Sequence, residues 1–249
     1  MGMSLWVTGT VVERIDWNDK LFSLKVDAEV EPFVAGQFTK LGLEQEGERV
    51  QRAYSFVNAP TEPLLEFLAV AVEEGKLSPR LQDLHPGDQL MVAKRPTGFM
   101  VLDEVPAGRD LWMLATGTAV GPFLSILRDA GSWEQFETFN LVYAVRNLED
   151  MAYLEEIRAL EQARPDQFKF IPVVSREEVA GMLRGRIPSL IAGGQIQEYA
   201  DRPITPSRSQ VMVCGNPDMI RDTLAVLEGM KLRKNLRRTP GQITMEKYW

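Results

Sequence analysis

The sequence predicts two domains, a small antiparallel β-barrel followed by an α/β domain built on a parallel sheet. Three observations carry that expectation. The first hundred or so residues break into short β-rich runs at near-regular spacing, the pattern then changes to apolar strands alternating with amphipathic helices, and 249 residues suffice for both. With 45% hydrophobic and 25% charged residues, the chain has the composition of a globular protein.

Six barrel strands are expected at WVTGTVVERI, LFSLKV, GQFTKLGL, RAYSFVN, LEFLAVAV and DQLMVA, separated by turn chemistry such as WNDK, EQEGE, NAPTEP and HPGD. Between the fifth and sixth, KLSPRLQDL reads as one short helix with Ser78 as its cap and Pro79 at its first position. After RPTGFMVLDEVPAGRD the reading becomes strand LWMLATG, helix GPFLSILRDAG, strand NLVYAVR and helix MAYLEEIRALEQA. FKFIPVVS, RIPSLIAGG, QVMVCG and DMIRDTLAVLEGM continue the alternation, with DRPITPSRS as a polar connector. The boundary is expected near residue 104, giving domains 1–104 and 105–249.

Composition removes several chemistries. A single Cys214 precludes an internal disulfide, and with a single His85 it cannot assemble a zinc site or an iron–sulfur cluster on their usual ligands. Electrons, if handled here, would travel on an organic cofactor. The apolar run LLEFLAVAV is broken by Glu66 and is far below the roughly 18 residues of a membrane span. The first residues carry no basic segment followed by an apolar run. A cytoplasmic monomer is expected, with no membrane or nucleic-acid partner, in keeping with a formal charge of -7. That charge is uneven, because residues 228–249 hold Lys231, Arg233, Lys234, Arg237, Arg238 and Lys247 against Glu228 and Glu246. The stretch suits an acidic protein partner or is a solvated helix end.

Candidate binding residues fall where strands end. In a doubly wound sheet, ligands meet the carboxyl ends of strands, where helix N-termini present free N–H groups. ATGTAVGP, at 115–122, lies at such an end, and its small residues Thr116, Gly117, Thr118 and Gly121 would let backbone approach a pyrophosphate; a plain tight turn is the alternative. The next strand end carries Arg146 instead of the acidic residue of the dinucleotide fingerprint, and further on come Ser175, Arg176 and Arg186. Three arginines at or near strand ends suit a 2′-phosphate, which favours NADP over NAD, although each alone could be a surface salt bridge. VMVCGNP sets Cys214 and Gly215 at the sheet edge, either a small buried hydrophobe or a slim border to a nicotinamide.

In RAYSFVN, alternation puts Arg52, Tyr54 and Phe56 on one strand face and Ala53, Ser55 and Val57 on the other. A barrel strand with one wet face would explain this without a ligand. Alternatively Arg52 neutralises a phosphate, Tyr54 lies against an aromatic ring and Ser55 bonds a ring nitrogen. Tyr54 and Ser55 cannot both face one ligand from a regular strand, so the chain must bend or end there. The KLSPRL helix start offers N–H groups of Leu77, Ser78 and Arg80 to a pyrophosphate.

RAYS, GKLSPRL, ATGTAVGP, VVSR with GRIP, VMVCGNP and the carboxyl end EKYW, in that order over residues 6–249, resemble the bacterial ferredoxin–NADP⁺ reductases of the enterobacterial type that ends in Tyr-Trp. The resemblance implies an FAD-binding antiparallel barrel and an NADP-binding α/β domain. It implies that Arg52, Tyr54 and Ser55, around Ala53, form the flavin motif, with Leu77 and Ser78 at the FAD phosphates. Thr116 to Gly121 would hold the NADP pyrophosphate, Arg146, Arg176 and Arg186 the 2′-phosphate, and Cys214 and Gly215 would flank the nicotinamide. Ser55, Cys214 and Glu246 become the catalytic candidates, and Tyr248 or Trp249 would cover a ring of FAD. The activity implied is electron transfer between NADPH and a ferredoxin or flavodoxin through hydride transfer to flavin N5, with the carrier docking near Lys231, Arg233, Lys234, Arg237 and Arg238. An NAD(P)H:flavin reductase that releases its flavin, and a flavin-containing sensor without turnover, are the alternatives.

Overall fold

Alternate residues of β2 (Leu21–Asp27) and β5 (Leu65–Val70) turn inward: Phe22, Leu24 and Val26 meet Leu65, Phe67 and Ala69 in one buried cluster. The opposite face of the two strands is covered as well, since Ser23, Glu66 and Leu68 are also buried. In the computed structural model, which describes residues 5–45 and 47–247, β1 (Trp6–Asp16), β3 (Phe38–Gln45), β4 (Glu48–Ser55) and β6 (Gln89–Ala93) complete a six-stranded antiparallel sheet ordered β4-β3-β6-β1-β2-β5. All six expected strands are present. The edges meet beyond the end of β4, where Val57 N–H donates to Glu66 O at 2.9 Å. That bond begins to close the sheet as a barrel.

The short helix α1 (Ser78–Gln82) follows β5 and sends Leu77 and Leu81 into the same core. Ser78 does not cap it. The capping position is Leu77, Ser78 is the first helical residue, and its Oγ accepts from Val72 N–H at 3.1 Å, closing the preceding loop. Pro79 fits because N–H groups in a first turn have no helical acceptor.

The helix α2 (Gly121–Arg128) also belongs to this first unit, which comprises Met1–Val101 and Gly121–Ala130; the second comprises Leu102–Val120 and Gly131–Trp249. A boundary at 104 in chain order leaves α2 on the other side. Its attachment to the barrel is polar and buried. Ser125 Oγ donates to Asn58 O at 2.7 Å, and Arg128 Nη1 donates to Glu66 Oε2 at 2.6 Å and to Val57 O at 3.3 Å. The Glu66 side chain is 4% exposed and that of Arg128 18%.

In the second unit, β7 (Asp110–Thr116), β8 (Thr138–Val145), β9 (Phe168–Val174), β10 (Leu183–Arg184), β11 (Ser209–Gly215) and β12 (Ile243–Lys247) form a parallel sheet ordered β10-β9-β8-β7-β11-β12. Strands β8 and β11 are buried along their whole length, as strands of a covered parallel sheet must be. The helices are α3 (Leu154–Ala163), α4 (Ile187–Ala192), α5 (Gln195–Ala200) and α6 (Pro217–Gly229). At the amino edge the buried carboxylate of Asp110 accepts from Thr138 Oγ1 and from Arg208 Nε, both at 3.0 Å. Strands β10 and β12 are additions to the sequence reading. The basic stretch is also not a helix end, since α6 stops at Gly229 and residues 233–243 return as a loop paired at its base.

Removing one member of a buried ion pair strands the other charge and costs about 3–5 kcal/mol. Arg128→Ala is expected to lower unfolding stability by about 3 kcal/mol in urea denaturation. A loss under roughly 1 kcal/mol, the range of exposed pairs, would show the pair to be solvated.

Candidate functional site

Within the first unit, β4 is an edge strand whose residues 48, 49, 51, 52 and 53 are exposed, while Ser55 and the residues to Ala59 are buried. Arg52 and Ala53 are therefore accessible, Tyr54 is half-buried against the core, and Ser55 ends the strand. The expected break is real. Ser55 is the last residue paired with β3, opposite Phe38; Phe56 N–H then donates to Gln37 O at 3.1 Å and Val57 turns to β5. Phe56 goes into the core, with its ring 4.0 Å from that of Phe33 at 19°, so the face it would share with Arg52 in a continuous strand is not kept. Burial pushes the Tyr54 phenol up to about 12, so it stays protonated at neutral pH.

One further element approaches this run, and a second, α1, belongs to the same barrel. A methyl built on Gly121, the first residue of α2, would lie 3.4 Å from Val57 Cγ2 and 3.8 Å from Ser55 Cβ, so Gly121 of ATGTAVGP and Ser55 of RAYS are neighbours. At α1, Arg80 N–H and Leu81 N–H both donate to Leu77 O at 3.0 Å. The amide of Arg80 is thus engaged, contrary to expectation, because the first turn is tight; those of Leu77 and Ser78 precede this bonding. An accessible cation, a half-buried phenol, a buried hydroxyl and helix-start amides in one barrel are the donor set that a pyrophosphate joined to a flat ring system requires. The residues present fit FAD.

In the second unit the carboxyl edge is shaped by absent side chains. Gly117 follows β7 with φ +56, and a methyl placed on it would meet nothing within 4 Å, a left-handed turn with open space beside it. Thr118 is buried, and the segment Gly117–Val120 leads into α2. Gly215 ends β11 at φ +149, and a methyl there would collide with Thr116 Oγ1, so the Thr116 hydroxyl occupies the room this glycine leaves. Asn216 N–H donates to that hydroxyl at 3.3 Å, and Asn216 Oδ1 caps α6 by accepting from Asp218 N–H at 2.9 Å.

Beside them the register sets Cys214 opposite Ala115 of β7 and Glu246 of β12. The Cys214 side chain is buried, and burial raises its thiol far above the ordinary range, with the Glu246 carboxylate adding to the effect. It is a neutral thiol, unsuited to act as a nucleophile. Burial alone raises Glu246 to about 7.

Across the sheet, Arg146, Arg176 and Arg186 come into one row. Arg176 N–H donates to Arg146 O at 2.9 Å, Ser175 N–H to Val145 O at 3.0 Å, and Gly185 N–H to Val174 O at 3.1 Å. Each arginine thus stands just past the end of its own strand in β8, β9 and β10, and all three are exposed. Asn147, Leu148, Glu149 and Glu177, which follow two of them, line an open cavity of about 640 Å³. Such a row can take a dianionic phosphate.

Tyr248 and Trp249 lie outside the described residues, as does the side chain of Lys247. His85 is a turn residue, its N–H donating to Asp88 Oδ2 at 2.8 Å. Among the described residues no cluster of His, Cys, Asp or Glu could hold a metal ion, and no helix is long and apolar enough to cross a membrane. Sequence reasoning missed Asn216 as the residue joining Thr116 to the cap of α6, although its place before Pro217 is the signal for a cap.

Residues 8–101 match the family of oxidoreductase FAD-binding domains and residues 113–224 that of oxidoreductase NAD-binding domains. The chain is 52% identical to the flavodoxin/ferredoxin–NADP reductase of Escherichia coli K12, over 99% of this chain and 100% of that protein. It is 35% identical to the ferredoxin–NADP reductase of Azotobacter vinelandii, over 95% of this chain and 96% of that one. Among solved structures it superposes with TM-score 0.93 on a ferredoxin NADP⁺ reductase from Neisseria gonorrhoeae with bound FAD and NADP, at 32% identity, covering 99% of this chain and 100% of that chain.

A carboxyl raised from 4.5 to about 7 binds its proton more tightly folded than unfolded, so it lowers stability as pH rises across that window. Glu246→Gln is expected to flatten this decline, by up to about 1.4 kcal/mol per pH unit, in urea titrations from pH 5 to 7.5. Parallel profiles for the two proteins would mean that Glu246 titrates as an ordinary carboxylate.

Proposed function

Because the chain belongs to the flavodoxin/ferredoxin–NADP reductases, FAD-dependent oxidoreductases that move electrons between NADPH and ferredoxin or flavodoxin, we propose which of its residues serve each step. When bound, FAD supplies the chemistry, taking a hydride from nicotinamide C4 at its N5 and giving the electrons up one at a time. The protein supplies placement and charge. Residues 1–104 are assigned to the FAD-binding domain and residues 105–249 to the NADP-binding domain.

Arg52 sets a cation against the FAD pyrophosphate, with the amides of Leu77 and Ser78 as further donors. Tyr54 offers the face of a protonated phenol to the flavin ring, Ala53 spaces the two side chains, and Ser55 gives a hydroxyl near N5. Thr116, Gly117, Thr118 and Gly121 form the turn for the NADP pyrophosphate. Thr116 accepts from Asn216 N–H, which leaves its own O–H free to donate toward a phosphate or carboxamide oxygen. Cys214 borders the nicotinamide as a slim neutral group, and Gly215 makes room for the Thr116 hydroxyl beside it. Glu246, with its carboxyl near 7, can hold or release a proton at neutral pH. Tyr248 and Trp249 are proposed to cover a ring of FAD.

The carrier is proposed to dock on the segment holding Lys231, Arg233, Lys234, Arg237 and Arg238. Leu236 and Thr239 exchange backbone bonds at 3.1 and 2.9 Å, a tight hairpin that puts Arg237 and Arg238 at its tip beside Leu236, which is 57% exposed. An acidic one-electron carrier is the complementary partner. The protein is proposed to act as a cytoplasmic monomer.

The observation that carries the NADP assignment is the row of Arg146, Arg176 and Arg186 at three neighbouring strand ends. A charge-assisted hydrogen bond contributes about 1.5–3 kcal/mol, so Arg176→Ala combined with Arg186→Ala is expected to raise KM for NADPH roughly 100-fold. The KM for NADH should stay within about twofold. Equal increases for both coenzymes would remove the 2′-phosphate from this row.

A further inference from the structure

Arg176 and Arg186 flank one segment, a loop followed by the short strand β10. Both ends are fastened by backbone bonds to neighbouring strands, Arg176 N–H to Arg146 O at 2.9 Å and Gly185 N–H to Val174 O at 3.1 Å. Between them the chain makes a turn, with Met182 N–H donating to Val179 O at 3.1 Å, and Arg184 pairs with Glu178 at 3.4 Å. The span is held from outside as well. Tyr199, on α5, donates its hydroxyl to Gly181 O at 2.9 Å, across 18 residues of sequence.

The Tyr199 ring has its own supports. It is half-buried against the cluster that contains Ile191 and Ile196, and Lys169 Nζ of β9 lies 5.5 Å from its centroid. Lys169 is 3.6 Å from Glu161 Oε1 on α3, and that oxygen also accepts from Phe170 N–H at 3.0 Å. Burial raises the Tyr199 phenol, with Glu161 adding to the effect, so the hydroxyl remains a donor at neutral pH. A phenol fixed by helix and strand thus reaches out to one carbonyl of a loop that is otherwise exposed at residues 176–178, 180 and 181.

We propose that Tyr199 is a positioning residue for coenzyme selection, which holds the 176–186 loop through Gly181 O so that Arg176 and Arg186 stand ready for a 2′-phosphate. The inference rests on the reading of those arginines as the 2′-phosphate site. Tyr199 acts in this proposal through the loop: its effect is on how much of the ordering of two long cationic side chains is done before the coenzyme arrives. A loop released from Tyr199 would still bind, but would order the arginines at the expense of affinity, and only for ligands carrying the 2′-phosphate. The part of the coenzyme held at the ATGTAVGP turn would not register the change.

The test is calorimetric titration of the intact FAD-loaded protein with adenosine 2′,5′-bisphosphate and with AMP, for the unsubstituted protein, Tyr199→Phe, and Arg176→Ala with Arg186→Ala. Tyr199→Phe deletes one hydroxyl and keeps the ring, and one hydrogen bond corresponds to a change of about three- to tenfold. The expected result is a three- to tenfold rise in Kd for the bisphosphate with AMP unchanged, and a matching rise in KM for NADPH with kcat and the KM for NADH unchanged. If Tyr199→Phe weakens both ligands equally, its role is merely structural and the proposal fails. If it moves neither while the arginine double variant weakens the bisphosphate, the proposal fails and the 2′-phosphate site stands. If the arginine variant moves neither ligand, the site itself is elsewhere and the proposal falls with it.

Discussion

Glu66 is a carboxylate with almost no access to water, set in a strand whose neighbours are Leu65, Phe67, Leu68 and Ala69. Such a charge must be paired, and Arg128 meets it at 2.6 Å. The same residue also acts through its backbone: its carbonyl takes Val57 N–H and its own N–H goes to Asn58 Oδ1, so the strand that leaves β3 at Ser55 is received by β5 at Glu66. One residue therefore receives the RAYSFVN run and anchors α2, the helix that begins at Gly121 beside Ser55. Ser55 owes its burial to that crossover and its neighbour to that helix.

A different constraint governs the α/β unit. All of its strands run parallel, so every carboxyl end lies along one edge, and residues from distant parts of the sequence become neighbours by register alone. Thr116 and Gly215 meet because Cys214 pairs with Ala115. Glu246 faces Cys214 because β12 adds to β11 in the same direction. Within this edge the work is divided: Gly117 leaves open space, Gly215 makes room for the Thr116 hydroxyl, Asn216 fastens Thr116, and the arginines stand further along the row. The electrostatics follow from the same geometry, since burial between strands keeps Cys214 neutral and brings Glu246 to about 7.

Much of this is legible in the residues alone. The β-rich runs LFSLKV and LEFLAVAV locate barrel strands, although both prove buried on both faces, and the even apolar content of LWMLATG and VMVCG locates strands covered on both sides. The conflict between Tyr54 and Ser55 foretells the end of β4. Other features are hidden for physical reasons. Ile243–Lys247 is too short to show a period, and it is a strand because β11 offers it a partner. Ser78 has the right identity for a cap, but the loop from Val72 takes its oxygen. Glu66 stands out as a charge in an apolar run, yet its partner lies 62 residues away on a helix, a distance that local pattern cannot span. Tyr199 carries no mark in QIQEYA of the loop it reaches.

The claim on which the rest turns is that the barrel retains a flavin reducible by NADPH. The measurement is the visible absorption spectrum of the purified protein after gel filtration, repeated after anaerobic addition of NADPH. Flavin bands that persist through the column and bleach with NADPH are the result expected of a tightly held FAD in electronic contact with the coenzyme. A colourless protein that oxidises NADPH only when free flavin is supplied would contradict the account, because flavin would then be a substrate that enters and leaves.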